Sequence, residues 1–389
     1  MNEYDFEQKS LIIEKAFSKT PYIGYNLEPL NHTNVDDKKT YIALSNLNGR
    51  NYYVEVLIYD SESNDFEIGY LYDHVFSPVG GLHWMPRNRV GLEESILGTA
   101  SDSIKLFKEG NLICDLRLND FELNNMRLEN IYNSYHTKIT SFSFSEYVEG
   151  DIVSSTLDGR CIIWNISESE QIKYSKGAIL ESLLSEYKSR SVLSISQMEK
   201  FTIMDVCFGN SKDNIIIGVN NGLAVSMDLR SPFKQSSSLL TDCILGWDTI
   251  PEHRISHTKL CCVKNTSYFC RGILSKGIVE IFDIRKTCGP LFKLNTSSSN
   301  RNINFSENSL VSIESKNSEE ILLAYSNGLI ETFNINKEKS SSLLRFETNL
   351  YTYSFSSLNI SKQINSFLGI SSVHIQNNTG IKISKYAEC

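Results

Sequence analysis

Two histidines four residues apart, His253 and His257 in Glu252-His253-Arg254-Ile255-Ser256-His257, are the nearest approach to a metal pair in this chain. That spacing brings two imidazoles to one side only on a helix, and Pro251 with strand-like neighbours makes the segment read as a solvated loop. The nine cysteines (114, 161, 207, 243, 261, 262, 270, 288 and 389) form no CxxC pair. Several sit in apolar runs such as Cys161-Ile162-Ile163-Trp164, the signature of reduced, mostly buried thiols rather than a disulfide or zinc framework. A nucleophile elbow, a phosphate-cradling loop, a dinucleotide fingerprint and an HExxH helix are all absent. The sequence therefore implies neither cofactor nor metal and no catalysis. Binding chemistry is better supplied. Asp228-Leu229-Arg230 and Asp283-Ile284-Arg285 repeat one pattern 55 residues apart. Arginine offers a planar fork of donors suited to carboxylate or carbonyl acceptors at an interface, and an Asp two residues earlier can orient it or cap the turn. The plainer alternative is an ordinary strand-end Asp followed by an unremarked polar residue.

Strands must position these residues. Helical periodicity is rare, while runs of about five to nine residues rich in Ile, Val, Phe, Tyr and Ser recur between clusters of Asn, Asp, Gly and Ser. Aligned on their turns, they repeat: a strand, a turn with Gly, then a strand whose aromatic or Met, five residues after the Gly, precedes Asp or Asn. The members are Gly159 with Trp164-Asn165, Gly222 with Met227-Asp228, Gly277 with Phe282-Asp283 and Gly328 with Phe333-Asn334; a turn without Gly, Ser101-Asp102-Ser103, leads to Phe107. Gly-to-Gly distances of 63, 55 and 51 residues show that variable length lies between repeats. A β-propeller has this property, because four-stranded blades fix the central hairpin while surface connections grow.

About seven blades follow. The third is the clearest: His136, strands 139–147 and 151–157, turn Asp158-Gly159, strand 160–166. His136, Ser154 or Thr156, Asp158 and Trp164 have the types and order of the hydrogen-bonded network that pins a WD-repeat blade internally, a structural role. Blade one covers 22–71 with inner strands 41–47 and 52–59; blade two takes 80–85, 95–101, 103–107 and 112–118. Blade four has 201–208, 214–219 and 223–229, and blade five 259–263, 268–274, 278–284 and 291–294. Blade six has 310–314, 320–325, 329–335 and 343–346. Blade seven has 351–356, 367–370 and 381–384 and lacks an outer strand; a β-capable segment at 10–17 precedes blade one and is expected to close the ring, removing an exposed edge. The chain then reads as one domain, 1–389, with 1–21 as the closing segment. An insertion at 167–200 carries Ile179, Leu180, Leu183, Leu184 and Tyr187, a stripe that predicts a short helix near 177–190, packed on the propeller or in a partner's groove. A second, 241–257, contains Trp247, either an exposed anchor or a plug. Serine triplets at 236–238, 297–299 and 340–342 fall in expected connections.

Composition narrows the partners. With 389 residues, 41% hydrophobic, the chain is long enough for a substantial core. A net charge of -8 argues against direct nucleic-acid binding, which needs a basic surface. No run approaches the length of a membrane span, and Met-Asn-Glu-Tyr-Asp-Phe-Glu lacks the order of a secretory signal, so a soluble protein of cytoplasm and nucleus is expected.

Tyr72-Asp73-His74, then Leu82-His83-Trp84-Met85-Pro86, then Ile96-Leu97-Gly98-Thr99-Ala100-Ser101-Asp102 resemble the second-blade region of one WD-repeat family. It is named for anthocyanin regulation and the transparent-testa-glabra phenotype, and its animal member is a cullin-four-associated factor. Segments 42–67, 140–164, 203–230 and 288–295 look like successive blades of the same family; Val75 stands where the family has Pro. The resemblance implies a noncatalytic scaffold for dual-specificity tyrosine-regulated kinases and, in plants, MYB and basic helix-loop-helix transcription regulators. The paired Asp-x-Arg boxes resemble those of substrate receptors of cullin-four RING ubiquitin ligases, which makes Asp228, Arg230, Asp283 and Arg285 candidate contacts to the ligase adaptor. The fold expected is an all-β, seven-bladed WD-repeat β-propeller closed by an N-terminal strand, monomeric and working through protein partners. A propeller enzyme or small-molecule binder is the alternative of another class, and acids or histidines converging on the channel would favour it.

Overall fold

A computed structural model describes residues 10–20, 24–30, 39–46, 52–60, 62–63, 65–75, 80–86, 95–117, 139–156, 161–166, 176–179, 203–219, 224–228, 244–246, 258–273, 277–285, 289–295, 310–315, 317–325, 329–337, 339–345, 351–359, 366–375 and 378–388. Among them the regular structure is entirely β, and no helix is long and apolar enough to cross a membrane. Strand β1 (Ser10–Thr20) is followed by β2 (Gly24–Pro29), β3 (Lys39–Asn46), β4 (Tyr52–Asp60) and β5 (Asp65–His74). Next come β6 (Gly81–Trp84), β7 (Leu97–Ala100), β8 (Ser103–Lys108) and β9 (Asn111–Arg117), then β10 (Ile139–Phe144), β11 (Asp151–Thr156), β12 (Cys161–Asn165) and β13 (Lys176–Ile179). They continue as β14 (Ile203–Phe208), β15 (Asn214–Val219), β16 (Ala224–Asp228), β17 (Ile244–Gly246), β18 (Thr258–Cys262), β19 (Tyr268–Ile273), β20 (Ile278–Asp283) and β21 (Phe292–Asn295). The last are β22 (Leu310–Ser315), β23 (Glu320–Tyr325), β24 (Leu329–Asn334), β25 (Lys339–Arg345), β26 (Tyr351–Asn359), β27 (Ser366–Ile375) and β28 (Asn378–Glu388).

Among the described residues these strands form seven four-stranded sheets. Six are meanders in chain order, from β2-β3-β4-β5 to β22-β23-β24-β25; the seventh runs β1-β28-β27-β26, with β1 antiparallel to β28 from Ser10 opposite Glu388 to Thr20 opposite Thr379. The leading strands β2, β6, β10, β14, β18, β22 and β26 each touch the next, and β26 touches β2. Local chemistry explains the hairpins. Lys108 pairs with Asn111 across Glu109-Gly110, whose φ values of 49° and 81° give the doubly left-handed turn that matches strand twist. Gly277, at φ 59°, lets β19 turn into β20, and it is the repeat glycine that falls within the described residues.

Inner strands are packed on both faces; every residue of β7 is buried, and so are Ile152 through Thr156 in β11, whereas the outer strands β5 and β9 are largely exposed. Each core cluster bridges neighbouring sheets. Val54, Val56 and Tyr72 meet Leu97 and Phe107, Ile104 and Leu106 meet Phe142, Ile152 and Trp164, and Phe269 and Phe282 meet Ile216 and Leu260. Burying each such side chain contributes about 1.5–3 kcal/mol. A Cβ on Gly98 would sit 2.8 Å from the Phe142 ring, so glycine there lets the second and third sheets approach. The leading strands share a defect too: the register shifts by one residue between Ile139 and Ser141, Ile203 and Asp205, and Leu310 and Ser312. These bulges fall at the same place in three sheets and bring Ser141, Asp205 and Ser312 to equivalent positions.

Three expectations need correction. Residues 177–179 belong to β13, which pairs with Cys161–Asn165, instead of opening a helix: the free edge of β12 offers backbone partners that outweigh an apolar stripe. The rest of that stripe, 180–190, lies outside the described residues. Ser340, Ser341 and Ser342 lie within β25, opposite Phe333, Thr332 and Glu331, rather than in a connection, because ladder hydrogen bonds along β24 do not depend on side-chain hydrophobicity. The outer strand of that sheet accordingly begins at Lys339, earlier than 343.

Candidate protein-binding site

Asp283 is the last residue of β20 and faces Tyr268, the first of β19; Asp228 is the last of β16 and faces Asn214, the first of β15. The two boxes therefore occupy one register position in consecutive sheets. Asn165 and Asn334 hold that position elsewhere, opposite Asp151 and Glu320. Of Asp228 only the backbone is described, and Arg230 lies outside the described residues.

The second box is complete. The Asp283 carboxylate is 2% exposed and accepts from Arg285 three times: the backbone N–H at 3.0 Å and Nε at 2.9 Å on Oδ1, and Nη2 at 2.8 Å on Oδ2. Arg285 itself is 70% exposed. Its fork has five N–H donors, two of which the carboxylate takes, so Asp283 fixes the plane of a guanidinium whose outer edge faces solvent. The hydrogen bond from the Arg285 side chain pulls the Asp283 carboxyl down to about 2 despite burial, with help from the Arg285 backbone and the Ser267 hydroxyl. The pair persists at any pH above the ordinary carboxylate range and loosens only as pH falls toward 2. Ser267, absent from the sequence expectation, precedes β19 and has no motif of its own; only the β19–β20 pairing reveals it.

Blade pinning is visible in two sheets. Trp164 is buried and its Nε1–H donates to Ser154 Oγ at 2.9 Å; His136 and Asp158 lie outside the described residues. At the second sheet, His74 reaches over from the end of β5 in the first sheet: its Nε2 is 3.2 Å from Thr99 Oγ1 in β7, and its ring meets Phe107 of β8 edge-on at 5.7 Å. Register shows the equivalence: Ser154 stands two residues past the partner of Trp164, and Thr99 two past the partner of Phe107. His74 was legible in the sequence as part of Tyr72-Asp73-His74, but its partner stands 25 residues away in another sheet.

Burial, reinforced by Lys105 and only partly offset by Asp102 and Asp115, pushes His74 down to about 4. The folded protein thus holds a neutral imidazole that the unfolded chain protonates near 6.5. Stability is full above pH 6.5 and falls as pH drops toward 4, by up to about 3 kcal/mol from this residue. Urea titrations at pH 7 and 4.5 should show that drop shrinking in His74→Gln; an unchanged drop would assign the pH dependence to other groups.

Around the leading strands His83 Nδ1 lies 3.7 Å from Glu28 Oε1, and Trp84 Nε1–H donates to the Glu28 carbonyl at 3.0 Å. Among the described residues no group of three or more His, Cys, Asp or Glu side chains could hold a metal. His253, His257 and Trp247 lie outside them. The six described cysteines are free thiols, Cys161 and Cys270 buried and Cys114, Cys207, Cys261 and Cys262 half-buried.

No family model matches this chain. It is similar to the DDB1- and CUL4-associated factor 7 homolog of Dictyostelium discoideum, 19% identical over 212 residues that cover 48% of this chain; the chain spans 63% of that relative's length. Among solved structures it is similar to the Cps50 (Swd1) β-propeller domain of Myceliophteria thermophila, with a TM-score of 0.61 and 10% identity, over 98% of this chain and all of that one. The structural neighbour shows the fold, a β-propeller.

Proposed function

We propose that this protein is a noncatalytic scaffold: a seven-bladed propeller, closed by β1 against β28, that presents fixed side chains to protein partners. Seven four-stranded sheets and the contact of β26 with β2 support the closed ring. The observation that carries the binding role is Arg285, largely exposed yet held in one plane by a buried carboxylate. A surface arginine already ordered loses less freedom on docking than a mobile one, and its outer donors suit a carboxylate or backbone carbonyl. The name of the Dictyostelium relative and the repeated box favour a cullin-four ligase adaptor on this surface, which makes the scaffold a substrate receptor. Kinases and transcription regulators, the partners implied by the family resemblance, would dock elsewhere on the same propeller, in cytoplasm and nucleus.

The test is quantitative mass spectrometry of proteins co-purifying with the tagged chain from its own cells, wild type beside Arg230→Ala/Arg285→Ala. Loss of a cullin adaptor from the variant, with kinases or transcription regulators retained, is the expected result. Equal recovery of those partners with no adaptor in either sample would leave a scaffold without the receptor role, and recovery of no partner by the wild type would overturn both. The variant is expected to fold, because the Asp283 carboxylate keeps the Arg285 backbone N–H and the Ser267 hydroxyl when the Arg285 side chain is removed, and urea unfolding beside wild type checks this.

A further inference from the structure

Cys207 near the end of β14 and Cys262 at the end of β18 face each other across the seam between two neighbouring sheets. Their sulfurs are 3.6 Å apart, and 55 residues of chain separate them. Two residues earlier on the same strands, Asp205 accepts the Leu260 N–H at 2.7 Å, so backbone and side chains hold this seam in register. Cys262 also lies against the Phe208 carbonyl, with its sulfur at 2.9 Å. Both cysteines are half-buried. Tyr147, half exposed, neighbours Cys262, which places the pair near the surface of this seam.

We infer that Cys207 and Cys262 are a site of reversible oxidation, closing to a disulfide that ties two blades of the propeller together. A sulfur pair in van der Waals contact on two aligned strands needs about 1.5 Å of approach to reach bonding distance, a displacement within the range of side-chain rotation. The oxidant is of the peroxide class. Its O–O bond breaks as the Cys262 sulfur takes one oxygen to become a sulfenic acid, releasing an alcohol or water. The Cys207 sulfur then attacks the Cys262 sulfur; the S–S bond forms, the S–O bond breaks, and the hydroxyl leaves as water with the Cys207 proton. Two thiols and one peroxide give one disulfide, one water and one alcohol or second water. The order follows from environment: the hydrogen bond shared with Cys262, together with burial, holds the Cys207 thiol well above its ordinary range, so Cys207 enters as the second sulfur rather than the first. Cys261 and Cys270 face each other across β18 and β19 and are both raised chiefly by burial, which leaves them protonated and slow.

The full-length protein is treated with hydrogen peroxide, blocked with an alkylating agent and digested with trypsin without reduction. The expected product is peptide 201–212 joined to peptide 260–264, lighter by two hydrogens than the pair, and separated again by a dithiol reductant. It should persist in Cys261→Ser and vanish in Cys262→Ser, where Cys207 stays reduced. Oxidation elsewhere with no 201–212 linkage in the wild type, or a linkage that survives Cys262→Ser, overturns the assignment; the wild-type result stands whether or not a variant folds.

Discussion

Arg271→Ala is expected to destabilise the fold by about 3–5 kcal/mol, the effect of stripping one partner from a buried ion pair. Arg271 in β19 and Glu280 in β20 stand opposite each other, 1% and 2% exposed, with Arg271 Nη2 donating to Glu280 Oε2. Lys293 Nζ reaches Glu280 Oε1 at 3.2 Å from the more open side, and the Arg271 guanidinium lies 5.3 Å from the Phe282 ring centre. Arg271 stands two residues past Phe269, the partner of Phe282, and so takes the place held by Thr99 and Ser154 in the second and third sheets. Where those blades use a hydroxyl, this one uses a charge, and a charge cannot be left alone in a dry seam. The loss is a large part of a total stability of about 5–15 kcal/mol. Urea unfolding of Arg271→Ala beside Arg271→Met/Glu280→Leu checks the cause: the apolar pair should recover most of the loss, whereas a single variant within 1 kcal/mol of wild type would mean that water reaches the pair.

Asp205→Ala should cost about 2–4 kcal/mol, since each buried donor left without an acceptor costs about 1–3 kcal/mol. The Asp205 carboxylate accepts from Ser141 Oγ in β10, from its neighbour Val206 N at 3.0 Å and from Leu260 N in β18 at 2.7 Å. One side chain thus joins three consecutive sheets where they crowd together, and the bulge at the start of β14 turns it to do so. Hydrogen exchange supplies the local check: the Leu260 amide should exchange much faster in Asp205→Ala relative to other β18 amides. A stability loss with unchanged protection at Leu260 would place the damage elsewhere.

How far these features could be read in the sequence depended on how local they are. The spacing of five from Gly to an aromatic or Met marked the hairpins of the third to sixth sheets, because one turn and one large apolar residue suffice to mark a strand pair. The strand-end aspartates were legible for the same reason; Asp283 and Arg285 are two residues apart and their hydrogen bonds need no other element. Asp205 looked like a polar residue in a strand, and its partners stand 64 and 55 residues away, distances no periodicity connects. Arg271 and Glu280 are nine residues apart but meet only through the register of one hairpin. Residues 177–179 misled because a short run ending in isoleucine suits an edge strand as well as the start of a helix, and the open side of β12 decided between the two.

Pairing of β1 with β28 sets the timing of assembly. The paired residues of β1 find their partners more than 350 positions further along the chain. At a synthesis rate of about 5–20 residues per second, β1 waits on the order of tens of seconds after leaving the ribosome before its partner exists. Distance adds little to the equilibrium cost, because loop-closure entropy grows only with the logarithm of length. The six meanders meanwhile have all four of their strands in hand as each is made. Biogenesis is therefore paced by the position of one coding segment, and a β1 left waiting is the strand most open to capture by a chaperone or by a second nascent chain.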